Sequence, residues 1–179
     1  MHPDLSSILI TTKELQARVK ILGDEISVDY VNEDIVLVCI LKGAFLFMAD
    51  LCRNIKVPVN TEFMAISSYG HSTESSGVVR ILKDLNDSIA GRNVLIVEDI
   101  VDTGLTVAYL AQMLEARKPN SIRICTLGSK PQCHKTPVQI DYCGFILPQE
   151  FVVGYGLDYK DYYRNLPYIG VLKQEIYKK

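Results

Sequence analysis

Hydrophobic positions along this chain alternate between continuous runs and a helical spacing. After a capping-box pair at Thr11 and Glu14, apolar residues recur every three or four positions as far as Ile26, which predicts a helix. Seven consecutive apolar residues, 35–41, then predict a strand that is covered on both faces, as in a parallel sheet. A second helical pattern follows over residues 43–53.

The same alternation continues through the rest of the chain. Further strands are predicted at residues 57–67, 78–82, 93–97, 122–127, 142–146 and 151–154. A helix is predicted from Thr103, with Arg117 and Lys118 in its last turn and Pro119 as its stop. Strands that alternate with helices are typical of an α/β fold with a mostly parallel central sheet flanked by helices, and we expect one domain over residues 1–179.

Composition and charge exclude several classes of protein. Of 179 residues, 48% are hydrophobic and 22% are charged, as in ordinary globular domains. A net charge of −2 argues against a nucleic-acid binder that works through a basic face. The longest stretch without Asp, Glu, Lys or Arg has only 12 residues (103–114), so we expect no membrane helix. Five cysteines without a CxxC pair, and no export pattern, predict reduced thiols and a cytoplasmic protein.

The segment that carries most chemical information is residues 94–106. A buried strand leads into Glu98 and Asp99, and Asp102 then opens a turn of small and hydroxylated residues before a helix. Free backbone N–H groups and the positive helix end suit a phosphate there, and Gly104 lets the backbone approach closely. Adjacent carboxylates beside a phosphate are explained by vicinal sugar hydroxyls or by Mg²⁺. The segment therefore predicts a site for a sugar phosphate with Mg²⁺.

This segment resembles the phosphoribosyl-pyrophosphate (PRPP) binding motif of the type I phosphoribosyltransferases, in which apolar residues and two acids precede D-T-G-x-T. The chain looks most like the 6-oxopurine branch, the hypoxanthine-guanine phosphoribosyltransferases. The blocks that carry the resemblance are residues 41–43, 68–69, 94–106, 129–130, 151–158 and 163–164. The resemblance implies that family's fold, with a small hood formed by the N- and C-terminal segments. It also implies purine salvage, in which PRPP and hypoxanthine or guanine give IMP or GMP and pyrophosphate.

The resemblance further implies which residues hold PRPP. Residues 103–106 would bind the 5′-phosphate, and Glu98 and Asp99 the ribose hydroxyls. Residues 42–43 and Arg164 would bind the pyrophosphate. The complete set of implied PRPP and phosphate contacts is Lys42, Gly43, Ser68, Tyr69, Glu98, Asp99, Thr103, Gly104, Leu105, Thr106 and Arg164.

The purine side of the site is implied in the same way. Asp102 corresponds to the general base near purine N7. The ammonium of Lys130 only donates hydrogen bonds, so it suits a 6-oxo group and rejects a 6-amino group. Phe151 would stack on the base, Val152 would offer backbone groups to its edge, and Asp158 would lie close by. The implied magnesium ligands are Glu98, Asp99 and Asp158.

Two alternatives remain open at this level. A regulatory protein on the same fold could sense PRPP or nucleotides, but it would need a basic face or an added nucleic-acid-binding domain. An orotate, adenine or uracil phosphoribosyltransferase would share the PRPP loop but lack the pairing of Lys130 with residues 151–158. The polar segment 68–77 is predicted to be a lid. We expect a homodimer or homotetramer with small-molecule substrates and neither nucleic acid nor membrane as partner.

Overall fold

The computed structural model describes residues 1–68 and 79–178, which form a larger and a smaller β-sheet with helices. In chain order the elements are β1 (Leu5–Ile10), α1 (Thr12–Asp29), β2 (Ile35–Leu41), α2 (Phe45–Asn54), β3 (Val59–Ser68), β4 (Val79–Lys83), β5 (Asn93–Val101), α3 (Leu105–Glu115), β6 (Ser121–Ser129), β7 (Tyr142–Ile146), β8 (Val152–Val153), β9 (Ile169–Leu172) and α4 (Gln174–Tyr177). A short 3₁₀ helix, Pro131–Cys133, follows β6.

The larger sheet has the strand order β4-β3-β2-β5-β6-β7. The pairs from β3 to β7 are parallel, and β4 joins the edge antiparallel. The first six residues of β2 are buried, as the uninterrupted apolar run predicts for a strand covered on both faces. The mostly parallel central sheet and the α/β class are therefore confirmed.

Helices cover both faces of the larger sheet. The capping box at Thr11 and Glu14 is present at the start of α1, which buries Leu15, Leu22 and Ile26 against the sheet and against α2. On the opposite face, α3 buries an apolar stripe of its own in a second core cluster. None of the helices in the described part of the chain is long and apolar enough to cross a bilayer.

The smaller sheet joins the two ends of the chain. Its antiparallel order is β1-β9-β8, so an N-terminal strand pairs with two C-terminal ones, and the hood implied by the family resemblance is confirmed. The hydrophobic pattern predicts neither β1 nor β9. Residues 6–8 of β1 are exposed, and the two serines near its start are followed by three apolar residues, so its sequence lacks a regular alternation of apolar and polar positions.

Several element ends differ from prediction by one or more residues, and two of the differences have a clear physical reason. The strand predicted at 93–97 continues to Val101, because pairing with β6 persists after the apolar run ends, so Glu98 and Asp99 lie within β5. The helix α3 ends at Glu115, so Arg117 and Lys118 lie beyond it rather than in its last turn. The backbone φ of Lys118 is +57°, and a residue with this positive φ cannot continue a right-handed helix.

All but the first residue of the predicted lid, 68–77, fall on residues 69–78, which lie outside the described residues. The predicted PRPP contact Tyr69 is one of them. Ser68 is the last residue of β3. The lid remains a prediction.

Candidate active site

Two adjoining cavities lie at the carboxyl ends of β5 and β6, where ligands bind in open α/β sheets. Ile100 and Asp102 line both. The larger cavity, about 220 Å³, is lined by Asp99, Ile100, Asp102, Lys130, Phe151, Val152, Leu157 and Asp158. The smaller cavity, about 90 Å³, is lined by Glu98, Ile100, Val101, Asp102, Thr103, Gly104, Thr106 and Val107. The structure thus brings all four predicted purine contacts together with Asp102, and beside them three of the four residues of the predicted phosphate loop, 103–106.

The smaller cavity contains the N-terminus of α3. Its N-cap is Gly104, with φ +80° and no capping side chain, so N–H groups of the first turn remain available for an anion. A Cβ at this position would also lie 2.8 Å from Cγ2 of Val138. Leu105 does not line the cavity, and its N–H points to Oγ1 of Thr103 at 3.4 Å. The hydroxyl side chain of Thr106 does line it.

Glu98 and Asp99 are consecutive residues of β5, and each lines one of the two cavities, Glu98 the smaller and Asp99 the larger. Glu98 is buried, and its Oε2 has no hydrogen-bond partner among residues 1–68 and 79–178. Burial raises the pKa of Asp99 to about 6, although a backbone N–H from Ile100 at 2.7 Å and the charge of Arg164 act in the opposite direction. Burial, and then the charge of Asp99, raise the pKa of Glu98 well above its ordinary value. Both carboxyl groups therefore gain from a ligand that donates hydrogen bonds or carries positive charge.

Glycine at positions 43 and 156 lets the loop after β2 contact both Asp99 in β5 and the segment after β8. A Cβ at Gly43 would lie 1.5 Å from Oδ2 of Asp99, and a Cβ at Gly156 would lie 2.1 Å from the carbonyl oxygen of Gly43. The peptide bond between Leu41 and Lys42 is cis. A side chain at Gly43 would clash with Asp99, and a side chain at Gly156 would clash with the backbone of Gly43, so either one would displace the loop after β2.

Beside this loop lies a cluster of cations and carboxylates. Arg164 donates through Nη1 to the carbonyl oxygen of Gly156 at 2.7 Å, and its Nη2 lies 2.7 Å from Oδ1 of Asp158. The Nζ of Lys42 lies 3.0 Å from Oδ1 of Asp161. The Nε of Arg164 is buried and has no acceptor in the described part of the chain. A buried donor of this kind is suited to an anionic ligand.

At the purine end, Lys130 is only 7% exposed, and its Nζ donates to the carbonyl oxygen of Glu150 at 2.9 Å. An ammonium has three donors, so two remain for a ligand. Phe151 lines the cavity and stacks on Tyr177, with ring centroids 5.0 Å apart and planes 29° apart. Tyr159 meets the same ring edge-on at 5.6 Å. Since neither tyrosine lines the cavity, they support Phe151 from outside it.

The three predicted magnesium ligands do not form a metal site by themselves. No three His, Cys, Asp or Glu side chains within the described ranges are close enough together to hold a metal ion. Both carboxylate oxygens of Asp158 already have partners, one in Arg164 and one in the N–H of Asp161. Mg²⁺ usually binds through one or two carboxylates, water and substrate phosphates. The free oxygen of Glu98 and the carboxyl group of Asp99 fit that mode, in which PRPP completes the ligand set.

Several residues at the site were not predicted from the sequence. Ile100 and Leu157 line the larger cavity, and Gly156, Asp161 and Tyr177 contact predicted site residues. The two glycines of the G-Y-G block, which have positive φ, are the only sequence feature that could have indicated a close backbone approach there.

Comparisons with known proteins agree with this geometry. The phosphoribosyl transferase domain model matches residues 7–160. A Mycobacterium tuberculosis protein named hypoxanthine-guanine phosphoribosyltransferase is 52% identical over 181 residues, which cover 98% of this chain and 90% of that protein. The Bacillus subtilis protein of the same name is 49% identical over 178 residues and 99% of both chains. A crystal structure of a Staphylococcus aureus hypoxanthine phosphoribosyltransferase matches with a TM-score of 0.96 at 47% identity, over 100% of this chain and 97% of that one. The chain therefore belongs to the hypoxanthine-guanine phosphoribosyltransferase family.

Proposed function

We propose that this enzyme transfers the 5-phosphoribosyl group of PRPP to hypoxanthine and guanine, forming IMP and GMP and releasing pyrophosphate. The observation that carries this proposal is the larger cavity, in which a buried ammonium, an aromatic ring and the carboxylate of Asp102 surround one space. That cavity adjoins an uncapped helix N-terminus suited to a phosphate. The names of the relatives support the same activity.

The reaction breaks the bond between the sugar C1 and pyrophosphate and forms a bond from C1 to a purine nitrogen. Negative charge grows on the departing pyrophosphate, where Lys42 and Arg164 supply positive charge. The purine must lose a proton, and Asp102, which lines both the larger and the smaller cavity, is the proposed acceptor. The side chain of Asp102 is exposed, so its carboxylate is available to accept or share that proton.

Lys130 explains the choice of base. Its Nζ is held by the carbonyl oxygen of Glu150, the residue before Phe151, so the ammonium and the stacking ring are positioned together. A 6-oxo group accepts from the ammonium, whereas a 6-amino group presents donors to a donor. A buried donor without an acceptor costs roughly 1–3 kcal/mol, and sites of this kind reject the wrong partner strongly.

Mg²⁺ is proposed as the cofactor, bound with PRPP and held on the protein side by Glu98 and Asp99, with Asp158 acting through water. When bound, the ion would neutralise charge on the pyrophosphate. The raised pKa values of Glu98 and Asp99 support this role, because a cation restores the charged form of buried carboxyl groups. Loss of activity with a chelator and recovery with Mg²⁺ is the expected result.

The decisive experiment is a panel of hypoxanthine, guanine, xanthine and adenine with PRPP and Mg²⁺, following nucleoside monophosphate formation. We expect hypoxanthine and guanine to be used at least ~10²-fold better than adenine. Lys130→Ala should raise the KM for hypoxanthine and leave PRPP binding nearly unchanged. Lys135→Ala, at a neighbouring lysine that does not line the purine cavity, is the matched control. Equal use of adenine and hypoxanthine by the wild type would show the role of Lys130 to be wrong.

The same assay tests the regulatory alternative, which predicts PRPP or nucleotide binding without turnover. We further propose a cytoplasmic homodimer or homotetramer that binds neither nucleic acid nor membrane. Sedimentation of the purified protein distinguishes these oligomers.

A further inference from the structure

A carboxylate already lies between the two cations that are proposed to bind pyrophosphate. One oxygen, Oδ1 of Asp161, is 3.0 Å from Nζ of Lys42 and 3.1 Å from Nη2 of Arg164. Lys42 follows β2, whereas the other two residues come from the segment after β8, so the fold brings separate parts of the chain to one point. These cations lower the pKa of Asp161, which is therefore charged at neutral pH.

A tight turn holds Asp161 in this position. Tyr159 and Tyr162 exchange backbone hydrogen bonds of 3.3 and 3.0 Å across the turn. The two central residues, Lys160 and Asp161, have φ values of +52° and +65°, as a type I′ turn requires. The N–H of Asp161 also donates to Oδ2 of Asp158 at 2.8 Å. The carboxylate is thus directed at the cations by a defined backbone conformation.

The contact between Asp161 and Lys42 is nevertheless easy to replace. Their side chains are 66% and 67% exposed, and exposed ion pairs are among the weakest in proteins. Pyrophosphate carries more charge and more acceptor oxygens than one carboxylate, and it can engage both cations at once.

We propose that Asp161 occupies the place of a pyrophosphate oxygen between Lys42 and Arg164 when the site is empty, and that it competes with pyrophosphate for these cations. The inference rests on the proposed pyrophosphate-binding role of Lys42 and Arg164. The competition weakens pyrophosphate binding and favours release of this product, since the cations regain a partner as it leaves. Asp161 is a positioning residue in this scheme and does not touch the reacting atoms.

Isothermal titration calorimetry with pyrophosphate and Mg²⁺ tests the competition directly. Asp161→Asn should lower the dissociation constant about two- to fivefold, as expected for removal of an exposed competing ion pair. Asp161→Gly, which also suits a left-handed turn, should act in the same direction. The gain should shrink at high salt, because screening weakens the competing pair. A residue that merely stabilised the turn would show no such salt dependence.

Two further variants separate the possible failures. Asp34→Asn removes an exposed partner of Arg92 just before β2, at the opposite end of the sheet, and should leave pyrophosphate binding unchanged. Arg164→Gln should weaken binding, and if it does not, the pyrophosphate site itself is wrong. If Arg164→Gln weakens binding but Asp161→Asn leaves it equal or weaker, only the competing role of Asp161 is refuted.

Discussion

Replacing Asp99 by Asn should make the ligand-free protein more stable at neutral pH while it impairs the enzyme. The pKa of Asp99 is raised from its ordinary value of 3.8 to about 6 in the folded chain, chiefly by burial. A raised carboxyl pKa contributes stability below the unfolded value, and that contribution is lost as pH rises through the folded value. Asn carries no charge at any pH, and its side-chain oxygen can still accept the N–H of Ile100.

The magnitude follows from the difference between the two pKa values. At ~1.36 kcal/mol per pKa unit, a rise from 3.8 to about 6 costs the wild type about 3 kcal/mol at pH 8. Part of the Asp99 side chain is exposed, so this figure is an upper bound. About half of the cost has developed by pH 5, so the variant should gain a further ~1.5 kcal/mol over the wild type between pH 5 and pH 8. Removing the charge beside Glu98 acts in the same direction.

Urea denaturation at pH 5, 6, 7 and 8, at one protein concentration, measures the free energy of unfolding of both proteins. Asp84→Asn is the matched control, because Arg117 lowers the pKa of Asp84. That variant should be less stable than wild type at pH 7, by an amount that stays nearly constant from pH 5 to pH 8. If the gap between Asp99→Asn and wild type did not widen as pH rises, the pKa of Asp99 would not be raised in the folded chain. Activity of Asp99→Asn should fall, since the carboxylate is proposed to bind ribose hydroxyls.

Substitutions at three other positions test separate parts of the site. Gly43→Ala should abolish turnover, because its Cβ would lie 1.5 Å from Oδ2 of Asp99, and steady-state kinetics with PRPP measures the loss. Asp102→Asn should lower kcat by ~10²–10⁴-fold with little change in PRPP affinity, and full turnover would contradict its role as base. Tyr177→Ala should raise the KM for hypoxanthine but not for PRPP, since the ring supports Phe151, whereas Tyr177→Phe should behave like wild type.

The sequence by itself determined the central sheet and the phosphate loop. Strand β2 could be predicted because a strand covered on both faces needs an uninterrupted apolar run, which is a local property of the chain. The start of α1 was equally local, since Thr11 and Glu14 satisfy each other's backbone groups within one turn. The D-T-G-x-T block predicted the N-terminus of α3 from residues of the turn itself, because a glycine adopts the left-handed φ of +80° that the N-cap Gly104 has.

Only the tertiary structure decided how separate segments meet. Strand β1 is held in the hood by pairing with β9, whose paired residues lie 159 to 167 positions away, and its own residues carry little strand pattern. Strand β5 extends past its apolar run because β6 supplies hydrogen-bond partners there. Asp161 comes to Lys42 across 119 positions of sequence, through a turn whose left-handed residues are not glycine. Contacts of this kind depend on the packing of the whole chain, so no local pattern of hydrophobic or polar residues encodes them.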